Sequence, residues 1–565
     1  MIKAWCCLLR KLMSGWQKNL KSPYRLALVA LLLVSFLLMN YTNLRGGNWS
    51  IHPDDHEAYL IGRNLKETGS LTVSIPLNEV LEEPLFTPAG TTFSKGRVVP
   101  TRAYGLFFVC AIGMFLGEQG PFYLIPLFGL VLLIFLYMLV ALVMDEKKAL
   151  IATALLALSA PFLYWNNMLF SNIPGCALLV VGLYFLARIA YGGDGRFRWY
   201  LLCAVSFALT IWMRYEYALI IVWLFPIILL NRRSFKLWKT VAAILILILA
   251  LSPILLLNTM IYKKPLASGY VESTQTQEKN SSAETENTGG IGSGIRDIFM
   301  RAGQNLLRPY FSKMYKDAYT FIFEPFPMLV LAGIIGILLM LLAGGSQRSF
   351  AVAMLLVMAF WSYYICTGVY YYPDSYVASS YARHLLIIYM LLAIGAPVLI
   401  ERVGDVIGRN AYRALITFFI IAFLAMQITT LMVGSRGLEA HADQKAGFRR
   451  VNDIANGLPE NAVIVAPFYS KVIVGKNVIT SGPIEAKDQP ERIEKLIGYI
   501  RELLEGGYDV YIMEASWYHP FYLDLPTHIR RGNDDIGVQE ITVYTTANGI
   551  DWLFRVYLEE GFQEK

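Results

Sequence analysis

The chain has 565 residues, of which 56% are hydrophobic and only 16% charged, with a mean hydropathy of +0.47. A soluble domain carries about 25% charged residues, so the composition excludes an ordinary soluble protein and indicates a polytopic membrane protein with soluble mass attached. The net charge of +7 does not indicate nucleic acid, because the lysines and arginines sit mostly in short loops between apolar runs, the positive-inside pattern.

A basic tail, residues 1–23, leads into an apolar run from Tyr24. That run is long for a signal peptide and lacks an A-x-A-like cleavage site, which predicts an uncleaved anchor with a cytoplasmic N-terminus. A spanning helix needs roughly 20 mainly apolar residues. About eleven candidates begin near Tyr24, Phe122, Ala149, Ile173, Trp199, Tyr217, Thr240, Pro325, Phe350, Leu385 and Ala414. The inner connections then read "MDEKK", "GGDGRFR", "NRRSFKLWK", "GGSQRS" and "ERVGDVIGRNAYR", each with Lys or Arg. Counting "RAYGLFFVCAIGMFLGE" (102–118) as a span would put every later basic loop outside, so this short segment is expected to be an interfacial or re-entrant helix on the outer side.

Three large segments fall outside: about 43–120, 263–323, and everything after about Gly434. Residues 272–294 are rich in Ser, Thr, Gln and Gly and nearly free of apolar side chains, the composition of a mobile loop. The segment from 435 to 565 predicts a small α/β domain. "NAVIVAPF", "KVIVG" and "YDVYIME" are expected strands, "QPERIEKLIGYIRELLEGG" an amphipathic helix ending in Gly, and "QEITVYTT" with "WLFRVYL" a closing antiparallel pair. The chain has no G-x-G-x-x-G, no Walker A motif and no inverted repeat. Cys6 and Cys7 lie in the basic tail, and Cys110, Cys176, Cys203 and Cys366 in apolar segments. That distribution offers neither a disulfide framework nor a thiolate metal site.

Chemistry first shows in "HPDDHEAYLIGRNL", just past the first span. Pro and then Asp54 and Asp55 stand where a helix would start, suited to an N-cap and to the helix dipole. Ala58, Ile61 and Leu65 share one face, as in a helix lying along the membrane surface. A cap needs one Asp; the second is available as a general base at the membrane boundary. Cations gather at the same outer level: Lys95, Arg97 and Arg102 in the first loop, Arg214 (beside Glu216) between two spans, Lys263 and Lys264 past the seventh, and Arg383 with His384 at the start of the tenth. Together they form a basic collar for a lipid phosphate, with Arg214 and Glu216 expected as a mutual salt bridge. The aromatic run "YYYPDSY" (370–376) is an interfacial belt or a sugar-stacking platform. A base, a phosphate collar and an apolar groove suit transfer of a sugar from a lipid-phosphate donor to an acceptor hydroxyl.

The chain resembles the GT-C integral membrane glycosyltransferases, in particular the protein O-mannosyltransferase and aminoarabinose-transferase-like branch (glycosyltransferase family 39 and relatives). The residues that carry the resemblance are "DDHEAYLIGRNL", "PTRAYGLFFVCAIGMFLG", "YWNNMLFSNIPG", "KKPLASGY" and "ARHLLIIY", in that order over roughly residues 20–435. The resemblance implies a dolichyl- or undecaprenyl-phosphate sugar donor, inversion at the anomeric carbon, and a first-loop Asp, Asp54 or Asp55, as base. It implies Arg383 as the lipid-phosphate contact and brings Tyr270 of "KKPLASGY" into the site. One departure is Asn172, where the family often has an acidic residue; no metal and no cofactor is expected. The C-terminal α/β domain is expected to lie outside the shared region, either binding the acceptor or covering the site. The acceptor is a protein, a glycan or a lipid. The localisation implied is a plasma or inner membrane, or the endoplasmic reticulum in a eukaryote, with the C-terminal domain extracytoplasmic. The alternatives from other classes are a flippase of lipid-linked saccharides and a non-catalytic subunit of a glycan assembly complex.

Overall fold

The structure, a computed structural model, describes residues 22–45, 48, 49, 52–80, 85–94, 96–193, 195–267, 269, 316, 318–323, 325–367, 382–432, 437–466, 472–479, 490–515, 525, 526, 529, 536–546 and 549–558. Cys6, Cys7, Tyr270, the 272–294 stretch and the aromatic run 370–376 lie outside the described residues.

Apolar helices occur where the hydropathy pattern places them. They are α1 (Pro23–Met39), α4 (Gly120–Val143), α5 and α6 (Glu146–Ala157 and Ala160–Asn166), α7 (Asn172–Ala190), α8 (Phe197–Met213), α9 and α10 (Tyr217–Val222 and Phe225–Leu230), α11 (Leu237–Tyr262), α12 (Pro327–Ala343), α13 (Gly345–Thr367), α14 (Leu386–Ile407) and α15 (Arg409–Met432). Among the described residues six of these helices are long and apolar enough to cross a membrane, and the α5–α6 pair, bent by 62°, makes a possible seventh. The remaining expected spans are shorter apolar helices. The α5–α6 bend falls at Ser159, with Pro161 opening α6. The amide of Ala160 freed there donates to Gln427 Oε1 of α15 at 2.8 Å, which satisfies a backbone group that lipid cannot.

Close helix crossings rest on small residues. Where α12 meets α14, a Cβ on Gly336 would sit 1.9 Å from the Gly395 carbonyl oxygen. Any larger residue there would push apart the helix that begins just after Arg383.

The segment between α1 and α4 contains α2 (Pro53–Thr68), a hairpin of β1 (Thr91–Ser94) and β2 (Arg97–Pro100), and α3 (Gly105–Gly113). As expected, α3 is too short to span. The apolar face of α2 is covered by protein. Asp55, His56, Glu57, Ala58, Tyr59, Ile61 and Gly62 are all buried, and α2 packs on α3, Gly62 being close enough that a Cβ would meet the Cys110 Cβ at 2.4 Å.

The C-terminal region opens with α16 (Leu438–Asn456) and continues as β3 (Ala462–Val465), β4 (Asn477–Ile479), α17 (Pro490–Glu505), β5 (Asp509–Ala515), β6 (Ile536–Thr546) and β7 (Gly549–Leu558). The sheet runs β4-β3-β5-β7-β6. β3 is parallel to both β4 and β5, and β7 is antiparallel to β5 and β6, so the closing antiparallel pair is where the alternation put it. The expected strand "KVIVG" is corrected. Val472, Ile473 and Val474 are buried but irregular, because their backbone is engaged by side chains: Trp49 donates to the Val472 carbonyl at 2.9 Å, and the Val474 amide donates to Asn452 at 2.9 Å.

Candidate active site

Asp54 does not cap its helix. The N-cap of α2 is His52 and Pro53 holds the first helical position, which places Asp54 and Asp55 in the first turn. The Asp54 side chain turns instead to two arginines. Its Oδ2 pairs with Arg102 Nη1, and Arg383 Nη1 donates to the same oxygen at 2.7 Å. The Asp54 and Arg383 side chains are each 13% exposed, so the cluster is shielded but reachable.

Glu57, one turn along the same face of α2, completes the cluster. Its Oε2 lies 2.9 Å from Arg102 Nε, and the hydroxyl of Thr101 is 3.2 Å from both carboxylate oxygens. Burial would raise the Asp54 carboxyl, but Arg102 and Arg383 outweigh it and hold the group well below the usual carboxylate range. Burial pushes Glu57 up to about 7 against the pull of Arg102. Two adjoining carboxylates are thus shifted in opposite directions, because one has two cations and the other has one and no solvent.

Arg383 sits in the 3₁₀ turn Ala382–Leu385 that leads into α14. Its guanidinium lies 4.6 Å over the Phe170 ring and 5.9 Å from that of Trp165, a stack that fixes the fork while leaving charge available. The amide of the wholly buried Asn172 joins the next pair. It donates to the Arg383 carbonyl at 3.1 Å and accepts from Arg214 Nη1 at 2.8 Å. Arg214 pairs with Glu216, as expected, and reaches His384 Nδ1 at 3.4 Å; the His384 carbonyl accepts from Trp361 at 2.7 Å.

Six of the residues singled out in the sequence (Asp54, Arg102, Arg214, Glu216, Arg383 and His384) are therefore joined in one network. Asp55 is not with them. It is fully buried on another face of α2, and its charge acts on Lys445 of α16. Lys264 is exposed past the end of α11. Of the "KKPLASGY" segment, Gly269 packs on the backbone of Pro100 and Thr101, next to Arg102.

Sequence reasoning passed over Glu57, Asn172 as a connector, and Lys445. The i, i+3 spacing of Asp54 and Glu57 was a usable signal. So was Lys445 within the buried stripe Leu438, His441, Ala442, Lys445, Phe448 and Asn452. Lys445 Nζ reaches Thr42 Oγ1 at 3.2 Å, Asn43 Oδ1 at 3.3 Å and the Asn167 carbonyl at 2.5 Å. Burial lowers its basicity, and the Asp55 charge opposes that. Among the described residues no cluster of three or more His, Cys, Asp or Glu could hold a metal ion.

Residues 100–257 match the model of the family described as dolichyl-phosphate-mannose-protein mannosyltransferase. The structure of ArnT from Cupriavidus metallidurans bound to undecaprenyl phosphate superposes with a TM-score of 0.54 at 13% identity, covering 96% of this chain and 99% of that one. The chain has the GT-C fold. The archaeal oligosaccharyltransferase AglB from Archaeoglobus fulgidus, in complex with an inhibitory peptide and a dolichol-phosphate, gives a TM-score of 0.50 at 11% identity, over 86% of this chain and 69% of that one. An oligosaccharyltransferase of the same organism, in complex with Zn and sulfate, gives 0.53 at 12% identity, over 93% and 72%. No curated protein matches the chain by sequence. The superposition on ArnT covers 96% of this chain, so it extends past residue 435 into the C-terminal region.

Proposed function

We propose that the protein is a membrane glycosyltransferase that moves a sugar from a polyprenyl-phosphate donor to an acceptor hydroxyl on the extracytoplasmic face, with inversion at the anomeric carbon. The observation that carries this is the convergence of Arg102 and Arg383 on one oxygen of Asp54. Two guanidinium groups from distant segments that meet at one anionic oxygen suit a phosphate clamp. The lipid phosphates named for ArnT and AglB support that donor class, and the apolar helices around the cluster provide the route for its tail.

In the resting site the arginines hold Asp54 weakly basic. A donor phosphate competes for both of them and adds negative charge nearby, which raises the basicity of Asp54 toward the ordinary range. Asp54 then accepts the proton of the acceptor hydroxyl. The acceptor oxygen bonds to the anomeric carbon, the bond from that carbon to the phosphate oxygen breaks, and polyprenyl phosphate leaves with its charge held by Arg102 and Arg383. Charge neutralisation by arginine makes a divalent metal unnecessary for this leaving group. Asn172 keeps Arg214 and the Arg383 backbone in register.

The test uses the full chain in lipid nanodiscs, supplied with undecaprenyl- and dolichyl-phosphate-linked pentoses and hexoses and a membrane extract as acceptor source. Release of polyprenyl phosphate is read by mass spectrometry. Release by the wild type and none by Asp54→Asn at equal folded yield is expected. Equal release by both would remove Asp54 as base.

A further inference from the structure

A second, polar cavity of about 320 Å³ lies between the α1–α4 segment and the C-terminal domain. We propose that it is a binding site for a neutral saccharide unit of the acceptor. This rests on the transferase reading above and narrows its acceptor to a sugar-bearing molecule.

The cavity is on a different face of α2 from the arginine clamp. Asp54 and Glu57 face Arg102, whereas Tyr59 and Arg63 line the cavity, about 140° and 180° around the helix from Asp54 at 100° per residue. The sugar being transferred is bonded directly to the donor phosphate and must stay beside the clamp. A sugar in the cavity is consequently not the one being transferred.

The lining is that of a site for a polyhydroxylated ring. Trp49 and Tyr59 lie 5.8 Å apart and tilted at 51°, and Phe122 stacks behind Tyr59 at 6.0 Å, so aromatic surface is available to the C–H face of a sugar. Arg63 and Arg449 are balanced by Glu118 and Asp453, which gives hydroxyl-binding groups of both polarities and no net charge. Burial, with the nearby Glu118 charge, pushes the Tyr59 hydroxyl up to about 12, so it remains a donor.

An independent observation calls for a ligand. Asn48 lines the cavity and is wholly buried, yet neither its amide oxygen nor its nitrogen has a hydrogen-bond partner among the described residues. A buried amide without a partner is costly. A paired donor and acceptor on neighbouring sugar hydroxyls would satisfy it once the lining side chains beside Asn48 shift to admit them. Gly475, at φ +94°, keeps the wall open, since a Cβ there would approach Asn456 Oδ1 to 3.3 Å.

The experiment is saturation-transfer NMR on the full chain in nanodiscs, with methyl glycosides of mannose, glucose, galactose, arabinose and N-acetylglucosamine and their disaccharides, and methyl glucuronide as a charged control. At least one neutral glycoside should saturate in the wild type and equally in Asp54→Asn, which needs no turnover. The exposed-site filler Asn456→Trp should reduce that signal at least fivefold, and Asn48→Ala should weaken it without lowering thermal stability. Saturating undecaprenyl-phosphate sugar should leave the signal in place. Absence of any neutral signal, a signal from the glucuronide alone, persistence in folded Asn456→Trp, or displacement by the lipid donor would each overturn the proposal. Loss of transfer in Asp54→Asn is read separately, so either idea can fail alone.

Discussion

Arg383 Nη1 donates to Asp54 Oδ2 at 2.7 Å across 329 residues of sequence. The pair joins the first turn of a loop helix to the head of a late apolar helix, and Arg102 closes on the same oxygen. Truncating either end should therefore act differently on transfer. Asp54→Asn should lower the turnover number by about 10²–10⁴, the usual worth of a positioned base, with a smaller change in donor KM. Arg383→Ala should raise donor KM most, because Arg102 still pairs with Asp54. Steady-state kinetics with varied donor separates the two, and a pure KM effect in Asp54→Asn would argue against a base.

Stability should depend on pH with opposing contributions from neighbouring residues. Burial lowers His56 from 6.5 to about 4, so between pH 4 and 6.5 the unfolded chain binds more protons there and stability rises with pH. Glu57 is raised from 4.5 to about 7, so the folded chain binds more protons between those values and stability falls with pH. Asp54, held below 3.8, contributes stability above that value and loses it in more acid solution. The melting temperature of wild type relative to that of Glu57→Gln should fall as pH rises from 4.5 to 7. The melting temperature of wild type relative to that of His56→Gln should rise from pH 4 to 6.5. Thermal melts in buffered detergent at half-unit steps check both slopes.

Asn172→Asp should be harmful even though it is nearly isosteric. The carboxylate would keep the contact from Arg214 but lose the donor to the Arg383 carbonyl, leaving two acceptors face to face. An unsatisfied buried acceptor costs about 1–3 kcal/mol. A lower melting temperature is expected, and an unchanged or higher one would contradict the hydrogen-bond assignment.

Lys445→Met should loosen the C-terminal domain. It removes the ammonium that ties α16 to Thr42, Asn43 and Asn167 and leaves the buried Asp55 without that countercharge. Leaving a buried acceptor without its donor costs about 1–3 kcal/mol. Limited proteolysis should cut the variant faster after residue 432. Adding Asp55→Asn should recover part of the loss, as coupled sites do, whereas additive effects would mean that the two charges act independently.

Much of the architecture was legible without coordinates because hydropathy and periodicity are local properties. A run of apolar residues makes a helix wherever it sits, so the helices starting near Phe122, Ile173 or Leu385 needed no knowledge of their neighbours, and the alternation in "QEITVYTT" and "WLFRVYL" marked its own pairing. Where a neighbour decides the outcome, local rules failed. Val472–Val474 has strand composition but gives up its backbone to Trp49 and Asn452. The "HPDD" doublet looked like a cap, yet Arg383 and Arg102 compete for Asp54 with more charge than helix amides offer.

The sequence by itself determined that cations and carboxylates would collect at one level of the helix ends, since charge is expelled from apolar spans. Only the tertiary structure decided which of them meet: Asp54 with Arg102 and Arg383 on one side of α2, and Asp55 with the field of Lys445 on the other. The reason is physical. A one-residue step along a helix turns a side chain by about 100°, so adjacent and identical carboxylates face different partners, and those partners are brought there by helix packing that leaves no trace in the local sequence.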